Sequence, residues 1–289
     1  MIKLVLAGNL IKAFDFLVEA FCPPNNLDEH DPNRRGTRDS KIARDARFFW
    51  DAVMFKANIA VGDGEGATIG LWSYFHEYGW SFGRADAELK DLTRTLVTNK
   101  SEKKTRQPFD NRRLHRTPLT ESKPDELDAQ FRQLDNATKG ERDVIGSWGG
   151  GDDRYIKKML RRIARGATNS RKRVMNLLLV ARFMLDLKGN GEVPKGHAMY
   201  EGRDGVCLST DWFGPIFCPD VEGEPHTGDY DATVTRFFMI GLTLALRRRR
   251  EGKVDLDGFD PAWRTWKADE NSGYKKKLKR MRERSCRRG

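Results

Sequence analysis

The chain has 289 residues, with 53 Lys and Arg against 42 Asp and Glu, a formal net charge of +11. A third of the residues are charged and 38% are hydrophobic; this composition is not that of a collagen-like repeat or a disulfide scaffold, and the aromatic content (Trp 7, Phe 16, Tyr 6) excludes a chain disordered throughout. The longest apolar stretch, Val174 to Leu185, is interrupted by Asn176 and Arg182 and falls short of a membrane span.

In chain order, Leu6, Leu10, Phe14, Leu17, Val18 and Phe21 follow helical spacing and predict an amphipathic helix over 2–21. Its start imitates a signal peptide, but Lys12, Asp15 and Glu19 break the apolar run. Pro23-Pro24 ends the helix, and a polar loop leads to a second one, capped by Ser40 and running through Ile59. Gly62-Asp63-Gly64-Glu65-Gly66 is a sharp break before the aromatic stretch from Ile69 to Phe82. A helix is expected over 84–97. Residues 98–125 carry Pro108, Pro118 and Pro124 with few apolar side chains, and read as a linker or exposed loop.

Helices follow over 125–134, over 154–165 after the Asp152-Asp153 cap, and over 169–187, with Gly166 breaking the last two apart. The Gly/Pro-rich stretch 188–228 holds short β-like pieces at Val206 to Leu208 and Ile216 to Cys218. A long helix spans Tyr230 to Arg250, apolar on all sides before it turns cationic. These elements predict a mainly α fold: a bundle-like helical core with irregular short-β insertions and a disordered basic tail. The expected organisation is an aromatic-rich helical region over 1–97, a linker over 98–125, a basic-face helical domain over 126–266 and a tail over 267–289.

The charge is concentrated. Residues 154–173 contain nine cations (Arg154, Lys157, Lys158, Arg161, Arg162, Arg165, Arg171, Lys172 and Arg173) and no acid. The tail from Lys275 to Gly289, including Lys275, Lys276, Lys277, Lys279 and Arg280, adds +8. Those segments hold +17, which leaves −6 for the rest of the chain. Arg247, Arg248, Arg249 and Arg250 form a third cationic cluster. Like charge packed this closely repels itself unless a polyanion relieves it. The sequence therefore predicts a nucleic-acid-binding protein, RNA ahead of DNA, acting as a structural or packaging component of a nucleoprotein assembly. Its mechanism would be phosphate contacts of low sequence specificity, self-association is expected, and no cofactor is needed. The preference for RNA rests on Trp263, Trp266 and Tyr274 beside the tail, since aromatics next to cations suit unpaired bases.

Two alternatives remain open. Asp63, Glu65, Asp152 and Asp153 lie in Gly-rich turns, where carboxylates can hold Mg²⁺ for phosphodiester chemistry with His76, His115, His197 or His226 as a base. A basic amphipathic helix can instead lie on an anionic membrane, although this one offers only Tyr155 as a large aromatic. Cys22, Cys207, Cys218 and Cys286 match no common zinc spacing, and no dinucleotide, P-loop or serine-hydrolase motif occurs. The expected compartment is cytoplasmic or nuclear, with no secretion.

Overall fold

A computed structural model describes residues 8–21, 38–69, 72–98, 124–149, 152–163, 174–185, 200–202, 205–208, 210–223 and 227–257. Two helices, α1 (Gly8–Phe21) and α2 (Arg38–Met54), precede a meander of three strands, β1 (Asn58–Ile69), β2 (Trp72–Arg84) and β3 (Thr93–Thr98). Then follow α3 (Pro124–Ala137), β4 (Val144–Ser147), α4 (Asp152–Ile163), β5 (Val174–Asn176) and α5 (Leu177–Met184). A small hairpin of β6 (Tyr200–Gly202) and β7 (Gly205–Cys207), α6 (Thr210–Phe217) and α7 (Gly228–Arg250) complete the order.

The main sheet has the order β3-β2-β1-β4-β5. β2 is antiparallel to both β1 and β3, whereas β4 runs parallel to β1 and β5 parallel to β4. Side chains of a strand alternate between faces, and β1 shows this at the centre of the sheet. Ile59 and Val61 pack with residues of α1, α2, α5, α6 and α7. Ala60 turns the other way and joins Ile145, Val174, Tyr78 and Trp80 against Phe131 and Leu134 of α3 and Ile156, Met159 and Leu160 of α4. The chain is thus a mixed α/β fold, with helices covering both faces of the sheet.

This corrects the mainly α expectation, and the reason is local. β4 and β5 have four and three residues, too short for an alternation that distinguishes strand from helix. The helix expected over 169–187 is β5 followed directly by α5, whose start is fixed by Asn176: its side chain accepts the N–H of Leu179 at 3.1 Å. The second helix stops at Met54, and Ile59 lies in β1. The helix expected over 84–97 is a turn, a short 3₁₀ segment (Leu89–Asp91) and β3. Ile216 belongs to α6 rather than to a strand. The helices at α3 and α4 and the long one at α7 match their sequence patterns closely. The residues on either side of the expected 98–125 linker contribute strands to one sheet, while 99–123 and the tail lie outside the described residues.

α7 is buried along most of its length, as its apolar circumference requires. It meets the sheet at two places. At its start, Gly79 of β2 faces Gly228 so closely that a Cβ on Gly79 would lie 2.0 Å from the backbone nitrogen of Asp229. Two turns later the fully buried Arg236 donates from Nε to the carbonyl of Ile59 at 3.2 Å, and from Nη2 to the carbonyls of Gly83 and Arg84. Burial holds its guanidinium down to about 10, with Asp86 pulling the other way. The middle of α7 and the end of α6 carry α1, through Phe14 against Phe238 and Phe217. Each such buried ring contributes on the order of 2 kcal/mol. None of the described helices is long and apolar enough to cross a membrane.

Candidate nucleic-acid interface and carboxylate crevice

The carboxyl ends of β1, β4 and β5 point the same way. The chain leaves β1 for β2 on one side and leaves β4 through α4 for β5 on the other, so the connections diverge between β1 and β4. The loops beyond the carboxyl ends of parallel strands are the usual binding position in α/β sheets, and the space outside the ends of β4 and β5 beside β1 is the candidate crevice here.

Asp63 stands at this point. It follows Gly62, which pairs with Ser147, the last residue of β4, and it is itself paired with Gly79 of β2. No side chain would fit at Gly62, where a Cβ would meet the Trp80 ring at 2.5 Å. Ser147 is fully buried and donates its hydroxyl to the carbonyl of Gly149 at 3.3 Å, closing the turn towards α4. Asp152 and Asp153 occupy the first turn of α4, where carboxylates complement the helix dipole. A Cβ on Gly149 would lie 3.4 Å from Oδ2 of Asp152, so the turn brings this carboxylate back over the end of β4.

The buried phenol of Tyr78 senses both carboxylates. The pKa of buried Tyr78 is pushed well above its ordinary value, first by burial and then by the negative charges of Asp152 and Asp63, with Tyr155 and Asp153 adding to them. Tyr78 lies 5.4 Å from the ring of Tyr155 and 5.7 Å from that of Phe131, and Trp80 packs edge-on to Phe131 at 5.2 Å. These rings form an apolar floor below the crevice. Burial raises Tyr155 to about 12.

α4 leads away from the carboxylates. Its apolar stripe is buried, while Arg154, Lys158 and Arg161, at helical spacings of four and three, are exposed along the opposite face. Lys157, on the flank, pairs with Asp153 at 2.7 Å one turn back. Arg162 belongs to the last turn of α4. Arg165, Arg171, Lys172 and Arg173 fall outside the described residues, as do Lys275, Lys276, Lys277, Lys279 and Arg280. Glu65 is on β1 opposite Glu77, where a bulge shifts the register of the hairpin.

The four arginines at the end of α7 lie across the sheet from α4 and have protein partners. Arg248 pairs with the buried carboxylate of Asp15 at 2.6 Å, and Arg249 with Glu19 at 3.1 Å. Arg249 also donates to the carbonyl of Val18 at 2.7 Å. Arg247 pairs with Glu251 at 2.7 Å, and Arg250 lies 5.1 Å above the Trp50 ring. They clamp α1 and α2 and do not extend the face that α4 presents.

Of the acids read from the sequence, Asp63, Asp152 and Asp153 all act electrostatically on Tyr78, but Asp63 shares the sheet face of Ile59 and Val61, whereas Asp152 and Asp153 open the helix that packs on the other face. Sequence reasoning missed Tyr78 and Ser147, because nothing local marks a tyrosine in an aromatic run or a serine at the end of a four-residue strand. His76 is on β2, and His115, His197 and His226 lie outside the described residues. Cys218 is a buried free thiol whose pKa burial pushes up. Among the described residues there is no group of three or more His, Cys, Asp or Glu side chains placed to hold a metal ion. Comparison with protein-family models, with curated proteins and with solved structures finds no match for this chain.

Proposed function

We propose that the protein binds nucleic acid along α4 and acts on its phosphodiester backbone at the crevice where α4 begins. The observation that carries this reading is that one helix joins both halves. Its first residue, Asp152, acts with Asp63 on Tyr78, and its exposed Arg154, Lys158 and Arg161 run on from there. A strand held by those cations would be delivered to the carboxylates rather than merely retained.

A carboxylate suits a hard divalent cation such as Mg²⁺, which is commonly held by one or two carboxylates together with substrate phosphates and water. Asp152 would hold it together with substrate phosphates, with the charge of Asp63 acting from the other face of the sheet, and the ion would supply polarisation of a phosphoryl oxygen and a more acidic water nucleophile. The protein's own part is positioning. The Ser147–Gly149 turn fixes Asp152, the β1 ladder fixes Asp63, and the aromatic floor keeps water from the underside of the site.

The test is an incubation of the full chain with labelled RNA and DNA oligonucleotides in Mg²⁺ or Mn²⁺. Cleavage is expected, lost in Asp63→Asn and in Asp152→Asn, with oligonucleotide affinity retained. Tight binding without processing under any divalent metal would remove the chemical half of the proposal and leave a binding or packaging role. Absence of binding would remove both.

A further inference from the structure

We infer that the strand recognised is unpaired and that Tyr155 stacks on one of its bases, an inference that rests on the nucleic-acid reading above. Tyr155 is half-buried in the first turn of α4, directly after Arg154 and three residues before Lys158. Side chains three apart on a helix are surface neighbours, so the ring borders the cationic stripe. It is also held in place: its buried side rests on Tyr78 at 5.4 Å and on Phe131 at 6.2 Å. An aromatic fixed in this way loses little side-chain entropy when a base covers its remaining surface. The phenol stays neutral at physiological pH, and so adds no charge that would repel phosphate.

From Arg154 to Arg161 the helix rises about 10 Å, which spans roughly three nucleotides at the stacked spacing of ~3.4 Å. A base on Tyr155 would then have flanking phosphates within reach of Arg154 and Lys158. In a duplex the base faces are already stacked, and the ring would have nothing to bind. An anionic membrane is the less suitable polyanion, because Ile156, Met159 and Leu160 are consumed by the core and leave α4 no apolar face to insert.

Fluorescence anisotropy of the full chain tests this with four probes: a dye-labelled single strand, its duplex, a fully abasic single strand of equal length and phosphatidylserine-containing vesicles. The base-bearing single strand should bind about tenfold more tightly than the abasic one, as expected for loss of one stacked base. Tyr155→Ala should bring it down to the abasic level, and Tyr155→Phe should leave it unchanged. Equal affinity of the unsubstituted protein for abasic and base-bearing strands would overturn the stacking role, and that comparison needs no variant that folds. Preference for the duplex would overturn the single-strand assignment. Combined Lys158→Glu and Arg161→Glu should weaken all oligonucleotides together. If that variant loses nothing, or if only vesicles bind, the nucleic-acid reading itself fails.

Discussion

The buried carboxylate of Glu77 on β2 accepts the backbone N–H of Gly228 at 2.7 Å, so a strand supplies the anion at the start of the longest helix. The first N–H groups of a helix have no partner within it, and a carboxylate there also opposes the positive end of the dipole. Gly79 and Gly228 make this possible by letting the two backbones approach without an intervening Cβ. Glu77→Ala should cost about 2 kcal/mol, and Glu77→Gln, which retains an acceptor, about half as much. Urea unfolding measures both, and a Glu77→Ala midpoint equal to that of the parent protein would exclude the capping role.

Arg236 supplies donors to three carbonyls at the other end of the β1–β2 ladder. Arg236→Met fills much of the same space and removes a buried charge, yet leaves those carbonyls without a donor. At roughly 1 kcal/mol each the expected loss is about 3 kcal/mol. Arg236→Lys should recover only part of it, because an ammonium cannot reproduce the fork of a guanidinium. Thermal unfolding of the two variants should rank parent above Lys above Met, and a Met variant at parental stability would contradict the anchoring role.

Arg248 and Asp15 give an opposite expectation for paired and single changes. Burial raises the Asp15 carboxyl above its usual range even though Arg248 pulls it down, so desolvation outweighs attraction. Arg248→Ala strands a buried carboxylate and should cost about 3 kcal/mol. Asp15→Leu combined with Arg248→Met should lie within about 1 kcal/mol of the parent protein. A double-mutant cycle by chemical denaturation decides, and additive losses would show that the pair is not coupled.

Alkaline pH should weaken the fold through its buried phenols. Tyr155 rises to about 12, and Tyr78 is pushed in the same direction, whereas an unfolded tyrosine ionises near ~10. Between those values the folded chain holds protons that the unfolded chain has released. The stability they contribute is complete below pH ~10 and is lost as pH rises towards ~12. Urea midpoints across this window should fall, less steeply in Tyr155→Phe. Tyrosinate absorbance of the folded protein should show late-titrating phenols; ionisation of every tyrosine near pH 10 would contradict their burial.

The exposed stripe on α4 predicts a salt signature. Replacing Arg154, Lys158 or Arg161 singly by Ala should lower the slope of log affinity against log salt by about 0.7 for a single strand. Arg248→Ala and Arg250→Ala should leave the slope unchanged, because those cations face other parts of the protein. A slope change of equal size at Arg250 would place the binding face elsewhere.

What the sequence disclosed follows from how far each signal extends. α4 was legible because Ile156, Met159 and Leu160 recur against a cationic background, and α7 because its apolar circumference runs for many residues. β1 was not: Gly62, Gly64 and Gly66 read as a break, yet at Gly62 the absent side chain makes room for Trp80 within the sheet. The carboxylates were recognisable as residue types on Gly-rich turns. Their place in the fold was hidden, since the parallel pairing of β1 with β4 sets Asp63 just past the end of β4, from which the chain turns into α4 and Asp152. The same limit applied to Arg247 to Arg250, which look like a free cationic run until α1 supplies Asp15 and Glu19.

The unequal lengths of the strands have a consequence for how the molecule opens. β1 and β2 pair as far as Ile69 and Trp72, but β4 accompanies β1 only over 59–62, and β3 accompanies β2 only over 77–82. Past the bulge at Glu65 and Gly66 the hairpin continues as a ribbon of two strands, an arrangement of marginal stability by itself. Amide hydrogen exchange should therefore divide within a single strand: protons at 59–62 wait for global unfolding, while those beyond the bulge leave through local opening. Asp63 lies just inside that dividing line. The crevice thus has one wall that shares the lifetime of the folded state and an adjoining edge that can yield far more often.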